Sequence, residues 1–367
     1  MTRQFAAPPH YVQGRDVLDE LGEHVEPLGD RVLLLADDIV LDIIEERATA
    51  SLERAGVDVV VEEFGGEASA EEIDRIADVC RDAETDAIIG AGGGKALDTA
   101  KAAREIVDGA AVSLPTIAST DAPTSALSVV YTEDGEFEEY RFYDRHPDAV
   151  IVDTAVVAGA PTRLFRSGIA DALATWFEAS AVDRAGAANV IGGEPTDAAL
   201  ELARLAYDTL REQADPAVEA VEVDAVTEGV ESVVEANTLL SGLGFESGGL
   251  AAAHSIHNGL TQLEATHGAT HGEKVNIGTL SQLVLEGREG AFVEEIVDFS
   301  LDIGLPVTLA EIGLEEPTPE QLDAVAEAAC APDETIHNEP FDVEPAMVRD
   351  AIRTADAIGR RLKAARE

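Results

Sequence analysis

Between Val32 and Val107, three short aliphatic, β-branched runs each give way to an amphipathic stretch, and a fourth run follows at Val112 to Ile117. No feature of the chain constrains its fold more. Val32 to Leu35 leads to Ile39 to Ala55, Val57 to Phe64 to Ala70 to Asp82, and Ala87 to Ile89 to Ala96 to Val107. Short aliphatic, β-branched runs alternating with amphipathic stretches predict βαβ units in a parallel, Rossmann-like sheet. Leu127 to Thr132 and Phe137 to Tyr143 flank Glu133-Asp134-Gly135, which predicts a hairpin, and Ala149 to Val152 closes the series.

After about Gly159 the strand signals stop, and Ala-rich amphipathic stretches run to Leu362. The expectation is an α/β domain over residues 1–160 and an all-α domain over 161–367. Acids number 73 against 25 basic residues, for a net charge of -48, spread along the chain rather than gathered in a tail. A surface so charged repels itself until salt near molar shortens the Debye length to about 3 Å. This predicts a halophile's protein and makes nucleic acid and anionic membranes poor partners. Cys80 and Cys330, far apart, form neither a disulfide framework nor a thiolate metal site. Met1 to His10 has no apolar signal core, and no apolar run is long enough to span a bilayer, so a cytoplasmic setting is expected.

The loops that follow the strands carry chemistry. Gly90-Ala-Gly-Gly93-Gly94-Lys95 follows a strand and opens a helix, where backbone amides can approach a pyrophosphate, although a plain glycine turn would look the same. It matches neither GxGxxG nor a P-loop. Only four lysines occur, and Lys95 and Lys274 lie in chemistry-bearing motifs, which suggests that their charge is needed there. Asp37, past the first of these strands, can accept from ribose hydroxyls and repel a 2′-phosphate, or simply cap the next helix. Ser119 to Ser125 forms a polar loop whose hydroxyls can reach a cofactor and whose Asp121 can reach a substrate hydroxyl; an ordinary Pro-containing turn is the plainer alternative.

Four of the eight histidines fall between Ala251 and Asn276. His254 and His257 are three apart in an apolar, helical-looking run and lean to one side. His271 follows a Gly-containing loop and can fold back. Asp171 opens a strongly apolar helix with Trp176 and Phe177, where a carboxylate is costly unless paired or metal-bound; a helix N-cap is the plainer alternative, and with His254 and His271 available metal ligation is the better reading. One carboxylate and two imidazoles make a three-ligand zinc-type site with an open position. His257 either orients a ligand and relays a proton or packs as a hydrogen-bonded core residue; His267 is a loop residue.

Four ordered motifs carry a resemblance: Gly90 to Lys101, Thr116 to Ser128, Ala252 to Gly259 and Thr270 to Val275. Together with Glu334-Thr-Ile-His337-Asn338 they resemble the NAD-dependent glycerol dehydrogenases of the group III, iron-containing alcohol dehydrogenase superfamily. Ala170 stands where that family usually has Gly. The resemblance implies a dehydroquinate synthase-like fold and Asp171, His254 and His271 as ligands of Zn²⁺, with Fe²⁺ as the other choice. It further implies Asp121 on the polyol, and Asp37, Gly94, Lys95, Thr116, Ser119, Ser125, Leu127 and Tyr131 around NAD, with Gly93 in the same glycine run. The implied reaction passes hydride from glycerol to NAD, giving dihydroxyacetone, in a large homo-oligomer. A glycerol-1-phosphate dehydrogenase-type reductase is the nearer rival, and it needs cations for a phosphate that this chain scarcely offers. A dehydroquinate synthase-like lyase is the more distant one.

Overall fold

The computed structural model describes residues 2–133, 135 and 137–366. The chain divides into two compact units, Ala7–Phe165 with Ala220–Gly242, and Met1–Ala6 with Arg166–Glu219 and Leu243–Glu367. The sequence pattern predicts two continuous segments meeting near residue 160. Residues 220–242 instead join the α/β unit, although they are helical in pattern. Local periodicity reports which face of a helix is apolar, not which core that face will join.

In the first unit, β1 (Tyr11–Gly14), β2 (Arg31–Ala36), β3 (Asp58–Glu63), β4 (Ala87–Gly92), β5 (Ala110–Pro115) and β8 (Ala149–Asp153) form one sheet in the order β1-β8-β5-β4-β2-β3. Every pairing in it is parallel. Side chains alternate faces: Val32, Leu34 and Ala36 enter one core with Ile89 and Ile151, while Leu33, Leu35 and Ile88 enter the other with Ile73 and Ile76. Both faces are therefore covered, which is why these strands read as unbroken apolar runs. The two edge strands are less covered: each of the four residues of β1 is half-buried, and β3 is half-buried along its length with exposed ends.

Helices α1 (Asp38–Arg54), α2 (Ala70–Ala83) and α3 (Gly94–Val107) make the crossovers. Asp37 and Ser69 cap the first two through the Val40 and Glu72 amides. Strands β6 (Leu127–Tyr131) and β7 (Phe137–Phe142) form a separate antiparallel pair. The expected turn between them includes Asp134, which lies outside the described residues.

The second unit is helical. Its elements include α4 (Thr162–Ala185), α5 (Asp197–Val221), α6 (Ala252–Thr261), α7 (His271–Leu285), α8 (Pro319–Ala329) and α9 (Pro345–Arg366). Along α6, Ala252, Ile256 and Leu260 recur every four residues and enter a core with Leu322, Val325 and Ile352. That spacing turns the other side of α6, with His254 and His257, away from the core. No helix among the described residues is long and apolar enough to cross a membrane.

Candidate active site

In a fully parallel sheet all strands end on one edge, and here β2 is followed by β3 on one side and β4 on the other. Such a reversal opens a crevice at the strand ends, the general ligand position of open α/β sheets. Asp37 follows β2, Gly93 and Gly94 follow β4, and Thr116 follows β5. Gly92 has φ +132, a conformation that L side chains avoid, and a Cβ on Gly90 would meet the Ala100 Cβ at 2.7 Å. The glycine run thus does two separate jobs: it makes the turn and lets α3 lie close on β4.

Asp37 Oδ1 accepts from the Val40 amide at 2.8 Å, so the capping role is realised at a strand end that also suits a ribose. Lys95 Nζ lies 2.6 Å from Glu67 Oε2 and 5.2 Å from the Tyr131 ring centroid. Leu127 and Tyr131 are four residues apart on β6 and share its half-exposed face, while Ser128 and Val130 are buried. Ser119 and Ser125 are both buried.

The loop carrying Asp121 is held from two sides. Lys101 Nζ, on α3, donates to the Ala122 carbonyl at 3.0 Å and to Ser125 Oγ at 3.3 Å, and pairs with Asp98 Oδ1 at 2.8 Å. From residues 220–242, Asn237 Nδ2 donates to the Ala118 carbonyl at 3.1 Å and Ser241 Oγ to Asp121 Oδ2 at 3.0 Å. Asn237 sits in a π-helical turn, Ala236–Leu240, a distortion that often marks functional sites. The sequence reading missed Lys101, Asn237 and Ser241. For Lys101 a signal existed, since it belongs to the same sparse set of lysines as Lys95.

The helical unit brings Asp171, His254 and His271 together. Asp171 lies on α4, His254 on α6, and His271 is the first residue of α7. Asp171 Oδ1 is 3.3 Å from His254 Nε2 and 3.1 Å from His271 Nε2, and one ligand atom from each residue lies within 4.8 Å of the others. Burial works against the Asp171 charge, but His271 and the hydrogen bonds from both imidazoles outweigh it and hold the carboxyl below its usual range. Burial likewise opposes a charged His254, yet Glu178 and Asp171 raise its imidazole well above the ordinary value. A deeply buried carboxylate facing two ring nitrogens suits a divalent cation that accepts mixed nitrogen and oxygen donors. The donor set fits such an ion.

His257 is buried, and its ring centroid lies 4.3 Å from that of His271. Burial, then His271, His254 and Lys274, push its imidazole well below the ordinary value, so it is neutral at pH 7. Glu334 accepts from Asn258 Nδ2 at 3.1 and 3.2 Å, which leaves Asn258 Oδ1 to face His257 Nδ1 at 3.1 Å. The proton then sits on Nδ1, and Nε2 is an acceptor. His267 is exposed in a loop, with Nε2 3.1 Å from the Thr261 carbonyl.

Two glycines let α7 reach this position. A Cβ on Gly272 would lie 1.8 Å from the Ser167 carbonyl oxygen, and one on Gly278 2.2 Å from that of Ala253. Thr270 and Glu273 close a capping box at the same end, and Ser167 Oγ accepts from the Gly272 amide at 3.0 Å. Gly272→Ala is expected to cost about 3 kcal/mol, since the obstructing atoms are backbone and cannot yield cheaply. It should also weaken metal binding by displacing His271. Gly290→Ala, with no atom within 4 Å of the new methyl, is the near-neutral control. Similar melting temperatures for the two variants would refute this.

Glu178, also missed in the sequence, is fully buried on α4, and its Oε2 lies 2.6 Å from His254 Nδ1. Behind it, Glu339 is buried with neither carboxylate oxygen meeting a donor at hydrogen-bonding geometry among the described residues. Burial, then Glu286 and Glu178, push its carboxyl from the ordinary 4.5 up to about 8, with the Arg184 charge offsetting part of the rise. Because the folded value lies above the unfolded one, the folded chain keeps the extra proton. Its contribution to stability is complete below about pH 4.5 and is lost as pH rises through about 8. Glu339→Gln is therefore expected to raise the melting temperature at pH 9 and leave it nearly unchanged at pH 5. A shift of equal size at both would show that titration of Glu339 is not involved.

Residues 8–154 match the family model described as iron-containing alcohol dehydrogenase. The chain is 64% identical to a glycolaldehyde reductase of Halobacterium salinarum, over 99% of this chain and 100% of that one. It is 50% identical to a glycerol dehydrogenase of Escherichia coli, over 98% of both. A solved glycerol dehydrogenase from Schizosaccharomyces pombe superposes with a TM-score of 0.96 at 41% identity, covering 99% of this chain and 92% of that one. With relatives this similar over nearly its whole length, the chain belongs to the iron-containing alcohol dehydrogenase family.

Proposed function

We propose that the chain is an NAD- and metal-dependent glycerol dehydrogenase, interconverting glycerol and dihydroxyacetone. The observation that carries the reading is the meeting of Asp171 with His254 and His271. These three residues would hold the metal; zinc is favoured by one oxygen and two imidazole donors, and Fe²⁺ is the other candidate. When bound, the cation supplies Lewis acidity toward the reacting hydroxyl and the nicotinamide supplies the hydride acceptor.

The protein's own groups have distinct tasks. Asp121, held by Ser241, orients the polyol by accepting from one of its hydroxyls. Neutral His257 takes the hydroxyl proton at Nε2, its other nitrogen being committed to Asn258. On the cofactor side, Asp37 accepts from the ribose and rejects a 2′-phosphate, favouring NAD over NADP. Gly93 and Gly94 admit the pyrophosphate to the start of α3, and Lys95 offers it a cation. Thr116, Ser119, Ser125, Leu127 and Tyr131 complete that site. The setting proposed is the cytoplasm of a salt-adapted cell, and the active form a homo-oligomer.

The 64% identity to a glycolaldehyde reductase favours a second reading, reduction of that two-carbon hydroxyaldehyde. Both substrates place a hydroxyl beside the reacting carbonyl, so one site serves either. Turnover at molar salt decides, using glycerol, dihydroxyacetone, ethylene glycol and glycolaldehyde with NAD(H) and NADP(H), and metal analysis of the same sample. A kcat/KM for glycolaldehyde far above that for dihydroxyacetone would select the second reading. Turnover of neither, or activity without metal, would end the proposal.

A further inference from the structure

Glu178 and Asp171 are seven residues apart on α4, two turns on the same face, so one helix presents both carboxylates to His254. Glu178 Oε1 accepts from the Ala251 amide at 2.9 Å and the His254 amide at 3.0 Å, while Oε2 lies 2.6 Å from His254 Nδ1. Residue 251, at the N-cap of α6, has no side-chain cap of its own, so a carboxylate from another helix takes that place. Two backbone N–H donors and one imidazole nitrogen converge on the two oxygens of a fully buried carboxylate.

We propose that Glu178 is a positioning residue that decides which nitrogen of His254 serves the metal: it holds a ring proton on Nδ1, so that Nε2, which faces Asp171, is the nitrogen that gives up its proton and binds the cation. The proposal rests on reading Asp171, His254 and His271 as the metal ligands. An imidazole binds metal only through a nitrogen without a proton, so whatever engages Nδ1 decides whether Nε2 can serve. A carboxylate accepts at both oxygens and donates at neither. Glutamine has nearly the same shape but one acceptor and one donor. If its oxygen keeps the two backbone amides, its NH₂ faces Nδ1, and the ring proton must move to Nε2, which blocks the ligand position. If its oxygen turns to Nδ1, two buried amides face an NH₂. Neither arrangement reproduces the present one.

Glu178→Gln and Glu178→Asp, prepared metal-free in the full-length chain at molar salt, test this. Zinc affinity is read by competition with a chromogenic chelator, the imidazole protonation pattern by ¹⁵N NMR, and folding by the melting of the metal-free proteins. The expected result is a tenfold to hundredfold weaker zinc affinity in Glu178→Gln, in the range of outer-sphere partners at other metal sites. At a pH high enough for His254 to be neutral, its Nδ1 should carry the proton in the unsubstituted protein and lose it in that variant. Glu178→Asp should keep the Nδ1 proton and bind zinc more tightly than the glutamine variant. Wild-type zinc affinity in Glu178→Gln, a proton retained on Nδ1, or weaker binding by aspartate than by glutamine would each overturn the assignment. Failure of the unsubstituted protein to bind zinc would instead remove the metal-site reading beneath it.

Discussion

Asp171→Asn is expected to leave a folded protein that retains no metal after dialysis and turns over at least about 10³-fold more slowly. Asp171 is the one anion of the donor set, it is 1% exposed, and its Oδ1 faces both Nε2 atoms. An asparagine would fit the same space but carry no charge, and its NH₂ would compete for the nitrogens that should face the cation. Lewis-acid stabilisation at such a site is worth several kcal/mol, and about 4 kcal/mol corresponds to roughly three decades in rate. Metal analysis beside steady-state turnover checks both halves of the expectation. A variant holding stoichiometric metal and working at half the normal rate would remove Asp171 from the site.

The second large effect lies in the α/β unit. Lys101→Met is expected to destabilise by about 3–5 kcal/mol, because it strands the Asp98 carboxylate in the interior. Both partners are buried, with Lys101 1% and Asp98 4% exposed. The same ammonium holds Ala122 and Ser125, so the loop bearing Asp121 should loosen and KM for polyol and cofactor should rise together. Removing both charges, as Lys101→Met with Asp98→Leu, should recover much of the stability but not the loop, because a buried ion pair costs less to replace than to halve. Denaturant unfolding at fixed molar salt measures the first, and KM the second. A loss below about 1 kcal/mol for Lys101→Met would show that Asp98 finds another partner.

Legibility in the sequence followed locality. Strands β2, β4 and β5 were plain because burial on both faces leaves an unbroken aliphatic run, and the edge strand β3 because Val59, Val60 and Val61 stand together, whereas β1, with Gln13 and Gly14 in its four residues, left no comparable trace. Asp171, His254 and His271 stood out because ionisable groups in apolar helices demand a reason. Glu178 sits in a similarly apolar setting, seven residues after Asp171, and was passed over because nothing local says that its partner is a histidine 76 positions away. Residues 220–242 look like any other amphipathic stretch, yet their Asn237 and Ser241 brace the loop with Asp121.

By itself the sequence determined the class of fold, the glycine turn at a strand end, and the kinds of donor available for a metal, since each depends on residue type and short-range period. Only the tertiary structure decided which lysine holds the Asp121 loop, which core residues 220–242 join, and which carboxylate commands the His254 proton. Those depend on distances between groups far apart along the chain, set by how closely backbones approach, as where Gly272 meets the Ser167 carbonyl.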